Sequence, residues 1–111
     1  MRKASEENAW FADAFLRVGK QWQSLGDLDS AMSSFRSALE HAPFQARLHC
    51  AEAQREAGNY AEALRWADRM VAAASEKEEH YALVFQGNLY FEATNHPKTP
   101  SADKDRKNMS S

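Results

Sequence analysis

Two short segments of the chain repeat one pattern 32 residues apart. GDLDSA runs from Gly26 to Ala31, and GNYAEA runs from Gly58 to Ala63. Gly readily adopts the positive φ that ends many helices, and the Asp or Asn that follows can accept hydrogen bonds from the first free amides of the next helix. The pattern therefore predicts a helix–turn–helix joint that occurs twice. Self-similarity at a fixed period of roughly 20–50 residues indicates a repeat architecture.

Residues of fixed type surround the first joint. They are Phe15, Val18, Gly19 and Trp22 before it and Ala31, Phe35 and Pro43 after it. This order of aromatic, aliphatic, Gly and aromatic residues, followed by Ala, Phe and Pro, resembles the tetratricopeptide repeat, a helix pair of about 34 residues. Every slot of the pattern is filled in type in this first unit.

The second unit keeps the joint and departs from the pattern around it. Arg47 and Gln54 stand where aromatic residues are usual, and Ala67 stands where the pattern has Phe. Ser75 replaces the closing Pro, and together with Glu78 it forms the S-x-x-E capping box that predicts the start of a further helix. The second unit is thus a looser match to the same repeat.

A third unit begins and is not completed. In EHYALVFQGNLYFEAT, Leu83, Gly87 and Tyr90 restore the spacing, while Gln86 takes the aliphatic slot. The following NHPKTPSADKDRKNMSS contains two prolines and almost no apolar residue, which is typical of a disordered tail. We expect two repeats and one capping helix.

The resemblance implies an all-α fold of tandem helix-turn-helix repeats wound as a short right-handed superhelix. Repeat one covers about 12–43, repeat two about 44–75 and the capping helix about 76–94, within a domain of residues 1–94 and a tail of 95–111. Helices are predicted at about 5–24, 28–41, 45–57, 60–74 and 76–94. Weak β-branched content and the lack of long alternating runs favour helices over strands.

Composition narrows the function classes. A chain of 111 residues with 43% hydrophobic content can bury one modest core. Its 14 basic and 16 acidic residues give a formal charge of −2, which favours neither nucleic acid nor an anionic membrane as partner. No apolar run approaches the roughly 20 residues that cross a bilayer, and the polar N-terminus does not match a signal peptide, so a cytoplasmic location is predicted.

The sequence offers no arrangement for catalysis or metal binding. Its four His residues and its single Cys50 lack the spacing of metal-binding motifs, and no glycine-rich loop or nucleophile elbow is present. Cys50 lies on the apolar side of a predicted helix and is interpreted as a packing residue. We therefore expect no enzyme activity, no cofactor, no metal and no small-molecule substrate.

Function is instead expected on a surface. In repeats of this family the first helix of each pair lines a concave groove that binds an extended or helical peptide. The corresponding candidate groove residues here are Arg17, Lys20, Gln23, His49, Glu52, Arg55, Phe85 and Asn88. Some members of the family use a Lys and Asn clamp for the C-terminal carboxylate of chaperones, but Leu16 and His49 occupy clamp positions, so the clamp is not expected. An ordinary solvated helix face is the alternative interpretation of the groove residues.

The last predicted helix is apolar over much of its circumference. The candidate contact residues of this end face are Tyr81, Leu89, Tyr90 and Phe91. A second copy of the chain, a target protein or a further part of a longer protein would cover them; the N-terminal segment or the tail folding back is the alternative. Two hypotheses follow: an adaptor or chaperone that binds a peptide or helix of a partner protein, or a self-assembly element that forms a homodimer or stack through this helix.

Overall fold

The computed structural model describes residues 4–95, with side chains from residue 10 onward. It contains α1 (Ala4–Ser24), α2 (Leu28–Ser37), α3 (Pro43–Glu56), α4 (Tyr60–Ala72) and α5 (Glu76–Asn95). No strand occurs among residues 4–95, so the prediction of an all-helical chain with five helices is confirmed. The predicted tail lies outside the described residues except for Asn95, the last residue of α5.

Helix α2 is shorter than predicted and α3 begins earlier. Residues 38–42 form a series of tight turns in which, for example, the Leu39 amide donates to the Arg36 carbonyl at 3.0 Å. Pro43 then opens α3 as its first residue. Proline suits this position because its fixed φ is helical and its missing N–H would have no partner there. The predicted end of α2 at residue 41 is therefore wrong by four residues.

Both glycine joints have the predicted backbone conformation. Gly26 has φ of 82° and Gly58 has φ of 85°. After the first joint, Asp27 Oδ1 accepts a hydrogen bond from the Ser30 amide at 3.0 Å and Oδ2 accepts one from the Ser30 hydroxyl at 2.9 Å. Both bonds hold the pKa of Asp27 below its ordinary value of 3.8, and the bond from the Ser30 amide has the larger effect.

The second joint is capped differently from the expectation. Asn59 makes no side-chain hydrogen bond to the first turn of α4. Its Nδ2 instead donates to Oε1 of Gln54 at 2.8 Å, and its backbone amide donates to the Gln54 carbonyl at 2.9 Å. Gln54 is buried, so this pairing satisfies a polar side chain inside the protein and takes Asn59 away from capping.

The capping box before α5 is confirmed. The Ser75 amide donates to Oε1 of Glu78 at 2.9 Å, and the Glu78 amide donates to Oγ of Ser75 at 3.3 Å. These reciprocal bonds satisfy two amides that the first turn of a helix leaves without intrahelical partners.

Each helix packs against the next one along the chain, and α1 also contacts α3. The main core lies between α1, α2, α3 and Trp66 of α4; its buried members are Ala12, Leu16, Ala31, Met32, Phe35, Ala38, Ala46, Cys50, Ala51, Ala53 and Trp66. A smaller cluster of Ala63, Ala67 and Leu89 joins α4 to α5. Small residues dominate both clusters, which allows close approach of the helices.

Gly19 of α1 packs closely against Phe35 of α2. A Cβ atom at Gly19 would lie 2.4 Å from Cε1 and 2.5 Å from Cδ1 of the Phe35 ring. The ring itself is fully buried. In the repeat pattern Gly87 of α5 occupies the slot of Gly19, but it is exposed and a Cβ there would meet no atom within 4 Å. Within residues 4–95, α2 therefore packs over Gly19, and no helix packs over Gly87.

Candidate partner-binding surface

Helices α1, α3 and α5 lie side by side and share one surface, here called the odd-helix surface. Nε2 of Gln23 on α1 donates to Oε1 of Glu56 on α3 at 2.5 Å. Nε of Arg55 on α3 lies 3.9 Å from Oε1 of Glu92 on α5. The hydrogen bond links α1 to α3 and the ion pair links α3 to α5, so polar side chains connect neighbouring helices across the surface.

Three of the predicted groove residues meet in one hollow of this surface. The hollow has a volume of about 180 Å³ and is lined by Lys20, Gln23, Ser24, Glu52 and Glu56. Lys20, Gln23 and Glu52 were the predicted members. Counting Lys20 as +1 and the two glutamates as −1 each, the lining has a formal charge of −1.

His49 stands beside this hollow and is partly buried. Its ring stacks on Phe35 with centroids 5.2 Å apart and an interplanar angle of 18°. Nδ1 lies 3.7 Å from Oε1 of Glu52. Burial lowers the pKa of His49 from its ordinary 6.5; the Glu52 carboxylate opposes this effect, and the Lys20 charge reinforces it. The neutral imidazole is therefore the prevailing form at neutral pH, and it offers one donor and one acceptor.

Other predicted groove residues lie outside the hollow. Arg17 pairs with Asp13 at 2.7 Å on its own helix, and its side chain is 79% exposed. Arg55 pairs with Glu92, and Asn88, exposed on α5, lies one turn before that carboxylate. Phe85 is partly buried and packs against both core clusters, so its ring contributes to the interior more than to the groove.

A larger hollow was not predicted from the sequence. It has a volume of about 460 Å³ and is lined by Ala12, Asp13, Leu16, His41, Ala42, Pro43, Phe44, Gln45, Arg47, Ala73 and Glu78. Next to it, Phe44 meets Tyr81 of α5 edge to face, with ring centroids 6.2 Å apart. The sequence feature that could have indicated this hollow is Arg47, a charged residue at a position where the repeat pattern has an aromatic one.

The predicted end-face residues on α5 do not share one surface. Tyr81, Tyr90 and Phe91 are 51%, 46% and 70% exposed, but Leu89 is 1% exposed and packs with Ala63 and Ala67 of α4. Assigning Leu89 to an exposed contact was therefore wrong, because its side of the helix faces α4. At about 100° per residue, Tyr81 and Tyr90 fall on opposite sides of α5, and Phe91 lies between them on the side away from Leu89.

A second group of exposed apolar side chains lies on α1. Phe11, Phe15, Val18 and Trp22 are 53%, 40%, 42% and 39% exposed, and Leu25, directly after the helix, is 75% exposed. We call these five residues the outer stripe. Phe15, Val18 and Trp22 fill repeat slots in the sequence, but the repeat pattern does not indicate that they are exposed.

Residues 4–95 hold no cluster of three His, Cys, Asp or Glu side chains arranged to bind a metal ion. Cys50 is a free, buried thiol whose pKa is raised by burial to about 12. In the same part of the chain, no helix combines the length and the hydropathy needed to cross a bilayer.

Comparison of the chain with models of protein families, with curated proteins and with solved structures finds no match.

Proposed function

We propose that this chain is a non-catalytic interaction module of tetratricopeptide type, an adaptor or chaperone that binds a peptide of a partner protein along the odd-helix surface. The observation that carries the proposal is the succession of the two hollows between α1 and α3. Residues 12–16 of α1 border the larger hollow and residues 20–24 border the smaller one. A row of open hollows suits an elongated ligand better than a compact one.

The spacing of the hollows defines the expected ligand. They are separated by eight residues of α1, which corresponds to about 12 Å along the helix axis. An extended peptide covers that distance with about four residues at 3.3 Å each. Side chains four positions apart also lie on the same face of an extended chain, so one such pair can enter both hollows.

Charge favours a basic side chain in the smaller hollow. The smaller hollow has a formal charge of −1, as counted above. In the larger hollow Asp13 and Glu78 are opposed by Arg47 in the lining and by Arg17, which pairs with Asp13, so neither sign of charge is in excess there. The proposed ligand is therefore an extended peptide segment that places Lys or Arg in the smaller hollow and a second side chain, four residues away, in the larger one. Its backbone groups can form hydrogen bonds with Gln23 and the neutral His49.

Selection from a displayed library of random peptides on the immobilised full chain tests this proposal. The affinity of a selected, labelled peptide is then measured by fluorescence anisotropy for the wild type and for Glu52→Lys. We expect at least a roughly 10-fold rise in Kd, because the substitution reverses a charge inside the smaller hollow. Glu62→Lys makes the same charge change on α4, outside both hollows, and serves as the matched control.

The proposal fails if the library yields no specific peptide. It also fails if Glu52→Lys and Glu62→Lys bind the selected peptide equally well, because the odd-helix surface would then not be the binding site. Circular dichroism of both variants verifies that the helices are intact.

Self-assembly through α5 is a second candidate function. It is favoured by the exposure of Tyr81, Tyr90 and Phe91 and by the uncovered backbone at Gly87. Its test is the molar mass in solution of the wild type and of Phe91→Lys. A dimer that Phe91→Lys converts to a monomer supports this candidate, and a dimer unaffected by the substitution contradicts it.

A further inference from the structure

Helix α1 has two adjacent apolar stripes, and only one of them is covered by other parts of the described residues 4–95. The inner stripe of Ala12, Leu16 and Gly19 is buried against the rest of the fold. The outer stripe, Phe11, Phe15, Val18, Trp22 and Leu25, is at least 39% exposed at every position. Its spacing of four, three, four and three residues is that of helices that pair side by side at an angle of about 20°.

We propose that the outer stripe is the contact of a two-fold symmetric homodimer, in which α1 of one chain lies antiparallel to α1 of a second copy. This inference goes beyond the peptide site on the odd-helix surface and is independent of it. It also differs from self-assembly through α5, because it uses another helix.

The area of the outer stripe is sufficient for a specific dimer. Side chains of this size offer about 150–250 Å² each, and 39–75% of that remains accessible here, which gives roughly 500 Å² per chain. Trp10 is 69% exposed, meets Phe11 with ring centroids 6.3 Å apart, and raises the patch to roughly 650 Å². Two copies would thus bury about 1,300 Å², within the range of standard specific interfaces.

Charge permits the stripe to meet an identical copy. On the side of the outer stripe that faces away from the inner stripe, the flanking residues are Ala14 and Gln21, which are uncharged. At about 100° per residue, Asp13, Arg17 and Lys20 fall on the other side of α1. Since a two-fold axis brings each flank residue close to that of the partner, a charged flank would repel its own copy; this one does not.

The order of side chains selects the antiparallel arrangement. With Val18 on the two-fold axis, Phe15 lies opposite Trp22 of the second copy and Phe11 lies opposite Leu25. The small residue is at the crossing point and the large residues pair on either side of it. A parallel pair would instead oppose Trp22 with Trp22 and align the two helix dipoles unfavourably.

On α5 the exposed apolar residues have no comparable arrangement. At about 100° per residue, Leu83 and Tyr90 lie about 100° from Val84 and Phe91, and Tyr81 lies farther round on the same side, so these residues spread over about 180° of the helix. The five residues of the outer stripe fall within about 80°, a width that one helix can cover, and α1 rather than α5 is therefore the surface assigned to self-association.

Sedimentation equilibrium of the full chain from about 1 to about 200 µM tests the proposal, since a dimer is favoured by concentration. The wild type should reach twice the chain mass of 12.6 kDa. Val18→Glu should raise the dimer Kd by roughly 100-fold or more, because it places two carboxylates together in an apolar contact. Leu25→Glu, at a more exposed position, is the second variant in case Val18→Glu perturbs the fold. Phe91→Glu is the control and should leave the dimer unchanged.

Cysteine trapping tests the arrangement. Phe11→Cys and Leu25→Cys chains are mixed and oxidised with copper–phenanthroline, and we expect the mixed 11–25 disulfide to dominate over the 11–11 product. Cys50 does not interfere because it is buried. The proposal is overturned by a monomer at all concentrations, by a dimer that Phe91→Glu dissociates and both α1 variants do not, or by predominant 11–11 linkage.

Discussion

The contrast between Gly19 and Gly87 leads to the sharpest prediction about stability. Both occupy the same slot of the repeat pattern, and both lie inside a helix. Replacing a helical Gly by Ala ordinarily stabilises a protein by about 0.5–1 kcal/mol, because Ala restricts the unfolded chain and has the better helix propensity. We expect this gain for Gly87→Ala, since a Cβ at that position meets no atom within 4 Å.

Gly19→Ala should have the opposite sign. Three atoms of the Phe35 ring would lie between 2.4 and 2.9 Å from the new Cβ, well inside ordinary van der Waals contact. The ring is fully buried and cannot move into solvent. Overpacking of this kind costs about 1–3 kcal/mol, and the severity of the overlap favours the upper end. After the helix-propensity gain is subtracted, the net loss is about 2 kcal/mol.

Urea denaturation followed by far-ultraviolet circular dichroism gives both free energies of unfolding. The double variant Gly19→Ala/Phe35→Leu identifies the cause, because Leu removes the ring atoms that the new Cβ would strike. It should be less destabilised than the sum of the two single variants by about 0.5–3 kcal/mol. Equal effects of Gly19→Ala and Gly87→Ala, or strict additivity in the double variant, would refute the packing argument.

Three further predictions concern the joints and the core. Gly58→Ala should destabilise the fold by about 1 kcal/mol in urea denaturation, even though space is free around it, because its φ of 85° is unfavourable for a residue with a Cβ; unchanged stability would contradict this. Asp27→Ala should lower the urea midpoint at pH 7, and the difference between the midpoints of the variant and the wild type should shrink as the pH falls to about 3. Because the pKa of Asp27 is lowered in the fold, its ionised carboxylate stabilises the fold above the ordinary pKa of 3.8, and this stabilisation is lost as the pH falls through the pKa in the folded state. A difference independent of pH would show that the charge is not involved. Cys50 should react with a disulfide reagent roughly 1,000-fold more slowly in the native protein than in denaturant, since its pKa rises from 9.0 to about 12; similar rates would show that the thiol is accessible.

Local features of this fold could be predicted from the sequence, and features set by packing could not. Gly26, Gly58 and the Ser75 capping box act within one turn of the chain, so their residue types were sufficient. Asn59 has the same residue type as many helix caps, but its amide is taken by Gln54, a competition that only the folded chain reveals. The early end of α2 likewise depends on the turns that precede Pro43.

The candidate site shows the same division. Helical periodicity brings Lys20 and Gln23 to one side of α1, and the predicted meeting with Glu52 follows from the parallel course of α1 and α3. On α5 the apolar residues surround the helix, so periodicity could not determine which side faces α4; Leu89 was misplaced for this reason. The larger hollow depends on the path of the chain at Phe44, which no pattern in the sequence specifies.

The central position of α3 has a consequence for how the protein opens. This helix packs against α2 and α4, and its buried residues Ala46, Cys50, Ala51 and Ala53 belong to the main core. Helices α1 and α5 each pack mainly against one neighbour in the chain. Because stability in stacked helices is nearly a sum of neighbour contacts, amide hydrogen exchange should be slowest in α3 and should quicken toward both ends. The helices at the two ends can then open locally while the centre of the stack stays folded.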